Sequence, residues 1–510
     1  MRNKPLLSKV VLTTLVVASA ILGVLRFNSF QEGAYTDDAH YIVLAESLAN
    51  GQGYRLINFP NPPIEQNFPF GWSLLLSPIA ALFPNNLTAL KLLSFAFWLA
   101  SIPLAYRLFT SRIGTPYLEM LVALIALNPM LGISGMLMSE VAYLFFSLLT
   151  LNILDYWNNH NQKNWLLIVV VAVALYTQLI RTVGISILLT VILYLLISRR
   201  FRQLGIAAIV IALGLVPQFW LYSQSGGSLI SSGYQSNVFG SLSTKPAEMW
   251  WNVQSYFDEM ISNSLVPIFG PNIASAFDKF GLGIIIPLMN GLILLMLALG
   301  IILTFRYFQF NDLYAILYFV GILTFWIPQF GRGQERFLVP LVPFLYFYLL
   351  QAIVWLAHHI PNLNDKRVPV VIVLGLTSLI VLFSFARNIQ DWQNPIRNRM
   401  TDLSVGTTWI RENTPQASVI MARDPVPDYL YARRKTVAYP ADGQDLEKAI
   451  ASNGVAYIMV SPKLQTPRTY ELDNFTKSNL LPMLISNQNR FRLVYSDTAN
   501  NVSIYNVHSR

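Results

Sequence analysis

The 510-residue sequence contains no cysteine and has few charged residues. Without cysteine the chain has no disulfide, no thiolate nucleophile and no thiolate metal ligand, and its redox compartment stays undetermined. Asp, Glu, Lys and Arg make up 12% of the residues, whereas a soluble domain carries roughly 25%. A soluble protein of this length needs more charge to cover its surface, so the composition indicates a membrane protein.

Hydrophobic residues make up 54% of the sequence and occur in long runs, which is the pattern of bilayer-spanning chains. The formal net charge is +9, and a basic total can indicate nucleic acid binding. Here Lys and Arg occur in short clusters between the apolar runs, so orientation in the membrane explains the charge better. We therefore expect membrane lipids, and no nucleic acid, as partners.

Eleven apolar segments predict membrane-spanning helices, although several are shorter than the roughly 20 residues of a full crossing. They are Val10–Phe27, Leu87–Phe109, Pro116–Met130, Leu137–Tyr156, Trp165–Ile180, Gly184–Ser198, Leu204–Tyr222, Leu282–Phe305, Leu313–Pro328, Phe337–Leu356 and Val368–Phe385. The predicted fold is a polytopic α-helical membrane domain over residues 1–386, followed by a soluble domain.

The first apolar segment has some features of a signal peptide. Arg2, Lys4 and Lys9 precede it, and Ala18-Ser19-Ala20 is similar to a cleavage site. The apolar run continues to Leu25, which is too long for the core of a signal peptide. We predict an uncleaved first membrane helix.

Another apolar run extends from Phe70 to Phe83, contains Pro78 and is followed by Pro84. A membrane span there would invert every later loop and place the basic clusters outside. A re-entrant or interfacial half-helix keeps the charge rule, so we predict that structure for this run.

The basic clusters predict the topology, because they fall before the first span and then in alternate loops. Placing these clusters in the cytoplasm puts the N-terminus inside. The outer side then holds residues 28–86, 131–136, 181–183, 223–281, 329–336 and 387–510.

The composition becomes mixed and polar after Ala386. Five segments read as strands, with helices between them at Asp402–Glu412 and Asp445–Ala451. The strands are Ser418–Ala422, Thr436–Tyr439, Val455–Val460, Phe491–Ser496 and Val502–Val507. This alternation predicts a small α/β domain over 387–510 on the outer side. The charged stretches Arg423-Asp424 and Arg433-Arg434-Lys435 are interpreted as solvated surface.

The first chemically interesting motif is Thr36-Asp37-Asp38, which precedes an apolar-patterned segment ending at Ala49. The pattern predicts a short amphipathic helix lying on the membrane. Either Asp37 is an N-cap and Asp38 a first-turn acid, or one of the two is a general base and the adjacent carboxylates raise each other's pKa. Both alternatives stay open.

Two further charges lie at the outer ends of apolar segments, where ionisable groups are costly. Glu140 follows Ser139, and Arg181 lies between Ile180 and Thr182. Glu140 is either an interfacial side chain facing water or part of a site. Arg181 either reaches lipid headgroups or binds a phosphate or carboxylate.

The segment Gly331-Arg332-Gly333-Gln334-Glu335-Arg336-Phe337 brings two arginines and a glutamate into a span from the outer side. Arg332 or Arg336 is a candidate phosphate ligand, with Glu335 orienting it, and a plain interfacial anchor is the alternative. The long loop 223–281 contains Gly226-Gly227, Trp250-Trp251 and Tyr256, and is interpreted as either a mobile lid or an ordered cover.

These motifs, in this order, resemble landmarks of the GT-C glycosyltransferases. The similarity is to the branch that contains the protein O-mannosyltransferases and the lipid A aminoarabinose transferases, and it covers residues 10–386. The residues that carry it are Asp37-Asp38-x-x-Tyr41, Ala45, Gly51-x-Gly53-Tyr54, Pro69-Phe70-Gly71, Ser139-Glu140, Arg181 and Glu335-Arg336-Phe337-x-x-Pro340.

The resemblance implies a GT-C fold, a polyprenyl-phosphate sugar donor and an inverting transfer to a glycan, lipid or protein acceptor. It implies that the first-loop acid Asp37 is catalytic, with Asp38 and Glu140 as supporting acids. Arg181, Arg332 and Arg336 are the expected phosphate ligands, and Glu335 and Tyr41 the expected orienting residues. Some relatives have a basic residue that contacts phosphate just before the Pro-rich entry to the apolar run. At that place this chain has Glu65-Gln66-Asn67. A divalent metal is an option, but the sequence shows no ligand set for one.

Two other classes of function are compatible with a polytopic chain. A transporter or flippase is expected to show internal repeats and charges near the middle of the membrane, and neither is visible here. A non-catalytic scaffold gives no reason for four charged sites on one face. A transferase accounts for the four charged sites on one face, and it requires neither internal repeats nor charges near the middle of the membrane.

Overall fold

The protein is described by a computed structural model. The structure describes residues 4–160, 162–224, 243–267, 279, 281, 283–326, 333–360, 367–395, 405–440, 446–466 and 469–508. Within these residues the chain forms a helical membrane domain followed by a small domain built on a mixed β-sheet.

Every apolar segment predicted to span the membrane contains a helix. In chain order the helices up to residue 393 are α1 Lys4–Arg26, α2 Asp37–Ala49, α3 Gly71–Leu82, α4 Leu87–Phe109, α5 Tyr117–Ala126, α6 Ser139–Asn159, α7 Asn164–Ile180, α8 Ile185–Ile197, α9 Phe201–Gln224, α10 Lys245–Ser255, α11 Ile261–Leu265, α12 Ile285–Phe305, α13 Phe310–Phe325, α14 Val342–His358 and α15 Arg367–Gln393. Short 3₁₀ helices occur at Pro129–Gly135, Thr182–Gly184 and Gln334–Leu341.

Not every one of these helices is long enough to cross a bilayer. Among the described residues, six helices are long and apolar enough to span, and α5 with its following 3₁₀ helix makes a seventh as a pair bent by 48°. The helices α3, α7, α8 and α13 are apolar but shorter. The chain is a multi-pass membrane protein, and the full count of eleven spans stays a prediction.

The apolar run from Phe70 to Phe83 forms a short helix, and its re-entrant or interfacial placement stays a prediction. α3 has 12 residues and contains Pro78, and at 1.5 Å per residue it is too short for a hydrocarbon core of about 30 Å.

The helix that carries Asp37 is more buried than the sequence suggested. Its residues Ala39, Ile42, Val43, Leu44 and Ala45 are all 0% exposed. The predicted helix is present, but it is surrounded by protein, so the prediction that it lies on the membrane as an amphipathic helix was wrong. α3 packs on one side of α2, and a helix of the C-terminal domain packs on another.

The C-terminal domain confirms the predicted alternation of strands and helices. Its strands are β1 Val419–Ala422, β2 Lys435–Ala438, β3 Val455–Val460, β4 Lys463–Thr466, β5 Thr469–Glu471, β6 Phe491–Asp497 and β7 Val502–Val507. Its helices are α16 Thr407–Asn413, α17 Pro425–Ala432, α18 Leu446–Asn453 and α19 Leu481–Ser486. The main sheet has the order β2-β1-β3-β7-β6, with β1 parallel to β2 and β3, and β7 antiparallel to β3 and β6.

The sequence missed four elements of this domain, which are the helices α17 and α19 and the two strands of the β4–β5 hairpin. The helix α15 continues beyond the predicted boundary at Ala386 to Gln393.

The described part of the long loop 223–281 is largely helical, and its role as a lid or a cover stays a prediction. Residues 245–265 are almost continuously helical, with a π-helical turn at Tyr256–Met260. Asn252 donates hydrogen bonds to the carbonyls of Leu323 (2.8 Å) and Trp326 (3.0 Å) and so ties α10 to the end of α13. Gly226-Gly227 lies outside the described residues.

Candidate active site

The site forms where four chain segments meet: the start of α2, the start of α6, the end of α7 and the 3₁₀ helix Gln334–Leu341. Close packing at Gly71 helps to bring them together. A Cβ at Gly71 would lie 2.6 Å from the carbonyl group of Leu179, so only glycine lets α3 approach the end of α7 this closely. The Tyr176 hydroxyl also donates to the Gly71 carbonyl at 2.9 Å. Arg181 follows directly, in an extended conformation that ends α7.

Asp37, Glu140, Arg181 and Arg336 form one charged network. Glu140 is 0% exposed and forms ion pairs with Arg181 at 2.8 Å and with Arg336 at 3.3 Å. Arg336 also donates to Asp37 Oδ2 at 2.5 Å. The sequence separated these residues by up to 299 positions. Two guanidinium groups facing two carboxylates leave the network formally neutral, which makes its burial tolerable.

Neighbouring side chains hold both arginines in place. The ring of Phe337 lies 4.7 Å from the guanidinium carbon of Arg181 and 5.1 Å from that of Arg336. Tyr35 lies on Arg336 at 5.5 Å. Arg181 also donates to the Ser139 hydroxyl at 3.0 Å, and Tyr41 forms a hydrogen bond of 3.1 Å with the same hydroxyl. Stacking and forked hydrogen bonds suit a guanidinium that must present one edge to an anion.

Two cavities flank this network. The smaller, of about 90 Å³, is lined by Asp37, Tyr41, Arg181 and Arg336, together with Asn67 and several aromatic and apolar side chains. The larger, of about 270 Å³, is lined by polar residues that include Arg26, Asn263, Glu335 and Asp391. Arg336 lines both cavities, so it can contact ligands from either side.

Asp37 is the only one of the three predicted catalytic acids that lines a cavity described here. Glu140 lines neither and is closed off behind the two arginines. It therefore holds Arg181 and Arg336, and its role as a supporting acid stays a prediction.

Asp38 is also turned away from the cavities, because successive helix residues point about 100° apart. It is 0% exposed and accepts a hydrogen bond from the Gly33 amide at 2.7 Å. Burial, reinforced by the neighbouring carboxyl of Glu32, raises the pKa of Asp38 to about 7. Glu32 in turn pairs with Lys91 at 2.7 Å. Through its hydrogen bond with Gly33, Asp38 stabilises the turn that carries Tyr35. Its side chain does not face the cavities.

Glu335 has a different partner from Arg336, and its orienting role stays a prediction. Its carboxylate accepts a hydrogen bond from Asn263 at 2.9 Å, and Arg336 is held by Asp37 and Glu140 instead. In a 3₁₀ helix consecutive side chains diverge by about 120°, so Glu335 and Arg336 face different surroundings. Arg332 lies outside the described residues.

Sequence reasoning missed several residues that line the two cavities, namely Tyr35, Asn67 and Arg26. Arg26 carried a usable signal, since it is a lone cation at the end of an apolar span, the feature that singled out Arg181. Tyr35 and Asn67 carried none, because an uncharged polar or aromatic residue in an outer loop is common.

In the described part of the chain, no three His, Asp or Glu side chains converge as a metal-ion group would require. These described side chains do not form a site that fits a resident metal ion.

Known proteins are similar to this chain in their structure. No protein-family model matches the chain, and no curated protein matches it. The structure is similar to ArnT from Cupriavidus metallidurans in the apo state, with a TM-score of 0.57 and 12% identity over 97% of each chain. It is equally similar to the archaeal oligosaccharyltransferase AglB from Archaeoglobus fulgidus in complex with an inhibitory peptide and a dolichol-phosphate, at a TM-score of 0.57 and 13% identity.

ArnT and AglB are both GT-C membrane glycosyltransferases. The chain has the GT-C fold. The AglB match covers 91% of this chain and 70% of that one. A second ArnT structure from the same organism, bound to undecaprenyl phosphate, matches at a TM-score of 0.57 and 11% identity over 97% of each chain. The GT-C fold expected from the motifs is thus confirmed, and the ArnT matches extend through the C-terminal domain.

Proposed function

We propose that this chain transfers a sugar from a polyprenyl-phosphate carrier to an acceptor on the outer face of the membrane, with inversion at the anomeric carbon. The observation that carries the proposal is one small cavity lined by a carboxylate, Asp37, and two guanidinium groups, Arg181 and Arg336. Two chains of similar fold were solved with dolichol-phosphate and undecaprenyl phosphate, which supports a lipid phosphate as the donor's carrier.

Each part of the reaction has a residue suited to it. Asp37 accepts the proton of the acceptor hydroxyl while that oxygen attacks the anomeric carbon. The bond from the anomeric carbon to the phosphate oxygen breaks, and its electron pair leaves with the phosphate. The carrier changes from a phosphodiester to a phosphomonoester, so negative charge grows where Arg181 and Arg336 can stabilise it.

Arg336 links donor binding to the proposed base Asp37, because the donor phosphate and Asp37 would compete for its guanidinium. Its guanidinium is paired with Asp37 at 2.5 Å. A donor phosphate would compete for that guanidinium and free the carboxylate to face the acceptor. Arg181 has no contact with Asp37 among its ion pairs and stays on Glu140, which keeps one cation ready for the phosphate. Transfer is therefore expected to follow donor binding.

The GT-C fold favours a transferase over the transporter alternative, since both named neighbours are transferases. The test is to compare lipid extracts and envelope glycans from cells with and without the protein. We expect the lipid-linked sugar to accumulate, and one envelope modification to disappear, when the protein is absent. A catalytically silent control is the Asp37→Asn variant expressed at the same level. Unchanged lipids and glycans in the deletion strain would refute the proposal.

The proposal requires the site to face outward. The C-terminal domain contacts α2, which carries Asp37. A reporter on that domain therefore shows on which side of the membrane the domain and Asp37 lie. Alkaline phosphatase fused after Arg510 is expected to be active, because that enzyme needs an oxidising extracytoplasmic compartment. A fusion truncated after Arg200, in a loop with three arginines, is the matched cytoplasmic control and is expected to be inactive. The reverse pattern would place the site in the cytoplasm and exclude an outer-face reaction.

A further inference from the structure

The helix α17 of the C-terminal domain is packed into the membrane domain. Val426 and Leu430, each 3% exposed, belong to the large hydrophobic core of the membrane domain and not to the core of their own sheet. Arg433 ends this helix in a left-handed conformation with φ 51°. The stretch Arg433-Arg434-Lys435, interpreted from the sequence as solvated surface, therefore begins at an interface, and that interpretation was wrong.

Arg433 makes an ion pair with α2. Its Nη1 donates to both carboxylate oxygens of Glu46, at 2.9 and 3.0 Å. The two side chains are 23% and 11% exposed, so the pair is shielded more than a surface salt bridge.

Neighbouring residues of the same segment contact the chain on either side of α2. The Tyr431 hydroxyl donates to the Glu32 carbonyl at 2.8 Å, ahead of the helix. The Thr436 amide donates to the Asn58 carbonyl at 2.7 Å, after the helix. The Lys435 ammonium donates to the Ile57 carbonyl. Residues 431–436 thus hold the chain before, within and after α2.

We infer that the C-terminal domain positions the catalytic helix and that Arg433 is the positioning residue. The inference rests on the proposed function of Asp37. Asp37 and Glu46 lie on the same 13-residue helix, roughly 14 Å apart along its axis. Because an α-helix moves as a rigid unit, fixing it at Glu46 fixes the direction of Asp37 relative to Arg336. A displacement of about 1 Å at a reacting group can cost roughly 10²-fold in rate.

The kinetic test replaces one partner at a time. Arg433→Gln and Glu46→Gln are each expected to lower kcat by about 10- to 100-fold. The KM for the donor should change little, because Arg181 and Arg336 are untouched. Arg433→Lys keeps the charge and should retain most of the activity. The double variant should be no slower than either single one, since both remove the same contact.

The control is a matched ion pair inside the C-terminal domain. Arg490 pairs with Glu447 at 3.1 Å, with side chains 18% and 29% exposed. Arg490→Gln should leave kcat unchanged. A drop in kcat as large as that of Arg433→Gln would mean that any weakening of the domain has this effect, and would overturn the role of Arg433.

A second measurement does not depend on turnover. Hydrogen–deuterium exchange of the full-length protein without substrate should show faster exchange over residues 37–49 in Arg433→Gln and Glu46→Gln. In Arg490→Gln the faster exchange should be confined to the C-terminal domain. If the wild type transfers no sugar, the proposed function fails while the exchange data still decide the positioning contact. A folded Arg433→Gln variant with wild-type exchange over α2 and wild-type kcat would refute the inference.

Discussion

Replacing Asp37 with Asn is expected to lower turnover by roughly 10²–10⁴-fold while the protein remains folded and binds its donor. Asn cannot take a proton from the acceptor, but its amide oxygen can still accept the hydrogen bond from Arg336. The alternative from the sequence was that Asp37 caps α2. Asp37 is instead the first residue of the helix, with Thr36 at the N-cap, and its carboxylate contacts Arg336.

The measurement is transfer from a radiolabelled polyprenyl-phosphate sugar under single-turnover conditions, which separates chemistry from product release. Glu248→Gln is the matched control. Glu248 is also an acid of an outer loop with a cationic partner, Lys245 at 2.7 Å, and it lines neither site cavity. We expect wild-type turnover from this control. Full turnover by Asp37→Asn would exclude Asp37 as the base.

Replacing Arg336 with Gln is expected to weaken donor binding by about 10- to 100-fold, since hydrogen bonds to charged groups contribute roughly 1.5–3 kcal/mol. Arg181→Gln should act in the same direction. The Arg336 change should also destabilise the protein, because the fully buried Glu140 loses one of its two cations. Removing one partner of a buried ion pair typically costs about 3–5 kcal/mol.

The loss of donor affinity and the loss of stability can be separated by a control variant at another buried ion pair. Arg112 and Asp312 pair at 2.8 Å, with side chains only 4% and 6% exposed, and neither residue lines a site cavity. Arg112→Gln should lower the thermal stability in detergent by a similar amount while donor affinity stays at the wild-type value. Arg336→Lys keeps the charge but loses the planar fork, so its affinity should be intermediate. Unchanged donor affinity in both Arg181→Gln and Arg336→Gln would remove them from the phosphate site.

Much of the fold could be predicted because its signals are local. A run of apolar residues specifies a membrane helix whatever its neighbours are, as at α4, where the prediction and the structure both give Leu87–Phe109. The strands β3 and β7 were likewise predicted to the residue. The helix α17 was missed because eight residues that contain two prolines carry a weak helical signal, and its formation depends on burial of Val426 and Leu430 against another domain.

The sequence by itself determined that this is a multi-pass membrane protein with a small C-terminal α/β domain, and which charges lie at the ends of its apolar segments. Only the tertiary structure decided what those charges do. Asp38 and Glu140 were predicted to support Asp37, and the structure buries both of them away from the two cavities. Arg433 looked like solvated surface, yet it holds the helix of Asp37. The physical reason is that a side chain's partner is set by the packing of helices hundreds of residues apart, and no local pattern encodes that packing.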